Sequence, residues 1–175
     1  MMKTTFGPLA RLLHWAMAAM IVSMLFVGAG MVATVSGRHA VLISIHKPLG
    51  VAVLALACVR VVVRLSSRPP ALPSDLPGWQ KFAAHGSHLA LYALMIAMPV
   101  VGWAMLSAGG YPVTLGGGVQ LPPIAPADPV WFAWLRHAHR WLAYLFFATF
   151  LAHFAAALYH GLIRRDGVLR AMMGR

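Results

Sequence analysis

Acidic side chains are almost missing from this chain: three in 175 residues, against 14 lysines and arginines. Charged residues of both signs make up only 10% of the sequence, 61% is hydrophobic, and mean hydropathy is +0.77. Too little polar surface remains to solvate a globule, which excludes a water-soluble domain and implies a protein of the bilayer. Cysteine is nearly absent as well. Cys58 is the single example and sits inside an apolar run, so neither a disulfide framework nor a thiolate metal site is available. Any bound metal must rely on histidine. The formal charge of +11 does not point to nucleic acid, because the basic residues cluster beside apolar runs instead of forming a solvated face with aromatic readers. No internal repeat or low-complexity tract is visible, and no polar segment is large enough to be a second domain, so residues 1–175 read as one membrane domain.

What the chain has in quantity is apolar sequence in long blocks. Four stretches, at about residues 8–33, 43–65, 85–106 and 134–163, are each long enough to cross about 30 Å of hydrocarbon as a helix. The expected fold is all-α, a bundle of four transmembrane helices with antiparallel, up-and-down neighbours. The segments TVSGRHAVL, SSRPPALPSDLPGWQK and SAGGYPVTLGGGVQLPPIAPADP between them carry the Gly, Pro, Ser and Asp of loops. Asp128 followed by Pro129 is a cap and first-turn signature, which starts the fourth helix there, partly in the interface, with Trp131 and Trp134 at headgroup depth. The first block is too long for the core of a secretory signal and contains His14 and Trp15, so it is expected to be a permanent helix.

Orientation follows from the lysines and arginines flanking the spans. Lys3, Arg11, Arg60, Arg64, Arg68, Lys81, Arg164, Arg165, Arg170 and Arg175 fall on the side of the two termini and the second loop; Arg38, Lys47, Arg136 and Arg140 fall on the other. This bias predicts both termini in the cytoplasm.

Nine histidines can then be placed by depth. His14 lies near the cytoplasmic start of helix one and His46 near the outer start of helix two. His139 lies near the outer start of helix four, and His153 is about 21 Å further along it. Fourteen helical steps leave a net rotation of only about 40°, so one face of helix four offers an imidazole at two heights. Antiparallel packing supplies each with a partner: His14 for His153 at the inner level, His46 for His139 at the outer. Facing imidazoles across a four-helix bundle fit the axial positions of haem iron, and the spacing suggests two bis-histidine haems stacked through the membrane. Pairs at two separated levels do not offer the three or four clustered ligands of a zinc or copper site. Glycines at 28, 30, 50 and 102 would let a flat macrocycle approach the backbone, Gly50 above all, one turn after His46.

The chain resembles the bacterial cytochrome b561 family, small four-helix di-haem proteins of the inner membrane. The resemblance spans nearly its whole length and rests on RLLHW (11–15), IHKPLG (45–50), RVVVRL (60–65), HGSHLALYALMIAMPVVG (85–102) and HRWLAYLFFATFLAHFAAALYH (139–160). It implies two haem b groups ligated from helices one, two and four, at positions matching His14, His46, His139 and His153. It also implies electron transfer between a periplasmic reductant and the quinone pool, with superoxide oxidation coupled to ubiquinone as the best-described activity. With both axial positions filled, substrate oxidation would be outer-sphere transfer at a haem edge.

On the outer surface, Arg38, Lys47, Arg136 and Arg140 are opposed only by Asp128, a field that would draw a small anion inward. Lys47, next to His46, is the expected steering or binding group, with a snorkelling interfacial lysine as the alternative. On the inner side His85, His88 and His160 could bond haem propionates or a quinone carbonyl and relay its protons, or could be interfacial residues bonded to water. Arg60, Arg64 and Arg11 are candidates for the propionates. His39 and His137 look like loop or helix-start residues. No obligatory protein partner is evident, although a membrane-anchor cytochrome that exchanges electrons between quinone and a dehydrogenase or hydrogenase is a rival reading. A haem-free transporter or structural membrane protein is another.

Overall fold

The computed structural model describes residues 5–67 and 69–174, so Lys3, Arg68 and Arg175 of the charge bias lie outside the described residues. Four long helices dominate: α1 (Pro8–Ala33), α2 (Gly37–Ser66), α3 (Gly78–Ala108) and α4 (Pro129–Leu158), followed by a π-helical turn (Tyr159–Arg164) and a short α5 (Val168–Met173). All four long segments, the last counted through Arg164, are long and apolar enough to cross a membrane.

Local chemistry sets the helix ends. Pro8 and Pro129 occupy first-turn positions, where a missing N–H costs nothing. Asp128 caps α4 as its sequence suggests, one carboxylate oxygen accepting from the N–H groups of Val130 at 2.8 Å and Trp131 at 2.9 Å. Ser36 caps α2, its hydroxyl accepting from Arg38 N–H. That cap starts α2 at Gly37, ahead of the apolar run at 43, and α3 likewise begins at Gly78 before the run at 85. Hydropathy marks only the lipid-buried part of each helix; the polar first turns Gly37–His39 and Gly78–Lys81 stand beyond it, at interface depth. Pro48 and Pro99 lie inside α2 and α3 without ending them, as membrane helices tolerate.

The third connection holds more order than a loop. Val113–Thr114 and Gln120–Leu121 form a two-stranded antiparallel ladder (β1, β2), with Val113 opposite Leu121. Gly116, Gly117 and Gly118, all at positive φ, make its turn. A ladder of two residues per strand is too short to leave an alternating pattern in the sequence. Trp103 Nε1 donates to the Pro122 carbonyl at 2.9 Å, and Ser107 Oγ accepts from Ile124 N–H at 3.1 Å, so the hairpin is pinned to the end of α3. Val113 is buried.

The core is an apolar layer at mid-depth: Met17 and Ile21 from α1, Val53 and Ala57 from α2, Leu94 and Met95 from α3, and Phe146 from α4. Close backbone approaches join α1 to α2, α2 to α3 and α3 to α4; α4 comes much less close to α1 and α2. Large apolar side chains such as Leu12, Phe26, Trp141 and Phe147 are exposed on the outside of the bundle, where lipid tails replace protein as their surroundings.

Candidate functional site

Steps of seven residues organise the interior, because two helical turns return a side chain to nearly the same face. Along α4 the line is His139, Phe146, His153; along α2 it is His46, Val53, Arg60; along α3 it is Gly102, Met95, His88. The middle member of each line belongs to the buried layer, and the outer members lie on either side of it. The apolar core therefore separates two polar levels.

At one level the ring centroids of His46 and His139 are 6.2 Å apart at an interplanar angle of 66°. At the other, His14 and His153 are 6.3 Å apart at 62°. Both couples reach across the wider gap, from α4 to α2 and from α4 to α1. Two metal–imidazole bonds of about 2 Å each, with the half-width of two rings added, account for a centroid separation of about 6 Å. The Nδ1 atoms of His46 and His139 are buried and have no hydrogen-bond partner of good geometry. Among the described residues no three His, Cys, Asp or Glu side chains converge on a common metal position. Facing pairs of imidazoles on the two sides of a gap between helices suit a haem iron held between two histidines and fit no closed metal cage.

The two levels are furnished differently. At the inner level Arg60 Nη2 lies 2.9 Å from His14 Nδ1, and since a guanidinium can only donate, this nitrogen accepts; an iron bond through Nε2, which needs the ring proton on Nδ1, would displace Arg60 from this contact. Arg60 Nε also donates to Tyr92 Oη at 3.1 Å, with the guanidinium 5.6 Å from that ring's centre. A third imidazole stands close by: His88 lies 5.4 Å from His153, ring centre to ring centre. Tyr92 carried no signal in the sequence beyond being an aromatic in an apolar helix.

At the outer level Lys47 Nζ donates to the Pro112 carbonyl at 3.1 Å. It lines a cavity of about 300 Å³ together with His39, Arg136, Tyr111 and Phe132. His39, expected only as a loop or helix-start residue, thus joins the basic groups there, with its Nδ1 3.1 Å from the Met31 carbonyl. Arg140 donates to His137 Nδ1 at 3.0 Å, and both are exposed.

The remaining candidates scatter. His85 Nδ1 lies 2.7 Å from the Lys81 carbonyl one turn earlier in its own helix. Arg64 is exposed, and the Arg11 guanidinium lies against Gly174. His160 Nδ1 meets Asp166 Oδ2 at 2.6 Å, in a chain that continues from Asp166 to Arg164 at 2.8 Å and from Arg164 to Asp75 at 2.6 Å. Burial pushes the Asp166 carboxyl up, but the hydrogen bonds from His160 and the Val168 N–H and the charges of His160 and Arg164 outweigh it and hold the group below its ordinary range. Of the glycines, Gly50 faces α1, where a Cβ would touch the Met24 methyl at an ordinary 3.6 Å; one on Gly102 would meet the His139 ring.

Residues 5–175 match the family described as prokaryotic cytochrome b561. The chain is 30% identical over 174 residues to "Cytochrome b561 homolog 2" of Escherichia coli K12, covering 97% of this chain and 92% of that protein. It is 28% identical over 130 residues to "Cytochrome b561 homolog 1" of the same organism, 74% of this chain and 73% of the other. Over 130 residues it is 31% identical to "Probable superoxide oxidase CybB" of Yersinia pestis, again 74% and 73%.

Proposed function

Because the chain belongs to the prokaryotic cytochrome b561 family, multi-pass inner-membrane proteins of b-type haem electron transfer, we propose that it carries two haems and oxidises superoxide at the periplasmic face, delivering the electrons to ubiquinone. His46 and His139 would hold one haem near the outer leaflet, and His14 and His153 the other near the inner leaflet. The observation that carries this reading is the pair of imidazole couples at 6.2 and 6.3 Å, one on each side of the buried layer. A relative named as a probable superoxide oxidase supports the choice of donor.

Haem b, when bound, would supply a one-electron couple that exchanges electrons by outer-sphere transfer. The chain's own residues do the rest. Lys47, Arg136 and His39 line the outer cavity and draw a small anion toward the His46–His139 level. The layer of Met17, Val53, Leu94, Met95 and Phe146 excludes water between the levels. Arg60, beside His14, offers a guanidinium for carboxylates, and His88, next to His153, is placed to exchange a proton with a quinone at the inner level. The reaction balances with two superoxide anions each losing one electron to become dioxygen, and one ubiquinone taking up both electrons and two protons to become ubiquinol.

The test begins with a haem count and a reduced-minus-oxidised spectrum of the purified protein. Reduction by superoxide is then followed with and without added ubiquinone. Two haems, reduced by superoxide and reoxidised by quinone, are expected; a haem-free protein would overturn the reading. Co-purification of a large iron–sulfur subunit, with no reduction by superoxide, would turn it to the membrane-anchor cytochrome.

A further inference from the structure

Along the line of α3 that faces α4, the inner level has His88 and the outer level has Gly102. Glycine is common in membrane helices, so what sets Gly102 apart is what a side chain there would meet. A Cβ at position 102 would stand 3.1 Å from His139 Cε1 and 3.4 Å from His139 Nδ1. The obstacle is the edge of a rigid ring, which does not yield as the tip of a flexible chain would. The same Nδ1 is buried without a hydrogen-bond partner of good geometry. The edge of the ring is thus seated against the backbone of Gly102.

We propose that Gly102 is a positioning residue: its missing side chain is the seat that sets the depth and plane of the His139 imidazole, and through it the electronic character of the iron centre at the outer level. The inference rests on the reading of His139 as an axial ligand.

Gly86 provides the control. It lies in the same helix, and a Cβ there would meet nothing within 4 Å. The experiment compares the purified holoprotein with His139→Ala, Gly102→Ala and Gly86→Ala. Each is characterised by haem count, low-temperature reduced-minus-oxidised spectrum and a redox titration that resolves two components. His139→Ala identifies the outer component as the one it loses. Gly102→Ala is expected to move the band and midpoint potential of that component, or to lose it, while the inner component keeps both wild-type values; Gly86→Ala is expected to match wild type throughout. An unaltered outer component in Gly102→Ala, or equal loss of both components, would overturn the proposal. If His139→Ala retains both haems, the ligand assignment itself fails and takes this inference with it.

Discussion

An imidazole in hydrocarbon gives up its water and must find another partner, which is why a lone histidine in a membrane helix carries so little information. His14 and His153 are informative because they face each other at 6.3 Å from different helices. Replacing one ligand of a couple should affect only its own level. In His14→Ala the inner haem is expected to be lost and the outer one kept, so haem content falls by about half. A haem count with the two spectral components resolved checks this; parallel loss of both would contradict the layered arrangement. The four histidines of the two couples were legible in the sequence through depth alone, fourteen residues on α4 being four turns with little net rotation. Their neighbours were not. Tyr92 reaches Arg60 and His88 reaches His153 through packing between helices, and no spacing within one chain segment encodes such a contact.

At the scale of the element, the ends were easier to find where a capping residue stands next to a proline. Asp128 and Pro129 marked the start of α4, whereas the polar first turns of α2 and α3 were hidden from a hydropathy profile. The far end of α4 is held by Asp166, which joins His160 and Arg164 beyond the π-helical turn, while α5 returns to α1 through the Phe6 N–H to Ala171 carbonyl and Trp15 Nε1 to Met172 carbonyl hydrogen bonds. The Asp166 carboxyl is held below its ordinary range, so the stability it contributes is complete above the unfolded value near 3.8 and is lost as pH falls through the lowered folded value. Thermal unfolding of wild type and Asp166→Asn in detergent checks this. The variant is expected to melt lower at neutral pH, by an amount equivalent to about 1–3 kcal/mol for a charged hydrogen-bonded group, and the difference is expected to shrink once the pH drops below the ordinary carboxylate range. A constant difference at every pH would assign the effect to packing.

At the scale of the whole molecule, every lysine and arginine enters the same topological account, ten on the side of the termini and second loop and four on the other. A fluorescent reporter fused after Arg175 is therefore expected to mature in the cytoplasm, and a periplasm-dependent enzyme at the same position to stay inactive. The reverse pattern would exchange the faces and put Lys47 and Arg136 on the cytoplasmic side, away from a periplasmic donor. The same asymmetry separates the two levels chemically. An outer cavity lined by Lys47, Arg136 and His39 lies beside one couple, and a cluster of Arg60, Tyr92 and His88 beside the other.

Composition by itself determined that this chain belongs in a bilayer, and apolar run lengths determined four crossings, because hydrocarbon thickness and helical rise are fixed quantities that any sequence must meet. Histidine depth determined which imidazoles could meet. Only the tertiary structure decided how closely they do, that α4 stands off from α1 and α2 while packing on α3, and that Gly102 lies against a histidine ring. Period and depth are properties of single helices, written in one dimension. Rotation of one helix against another is set by the sum of many small side-chain contacts between segments far apart in sequence, and these exist only in the assembled fold.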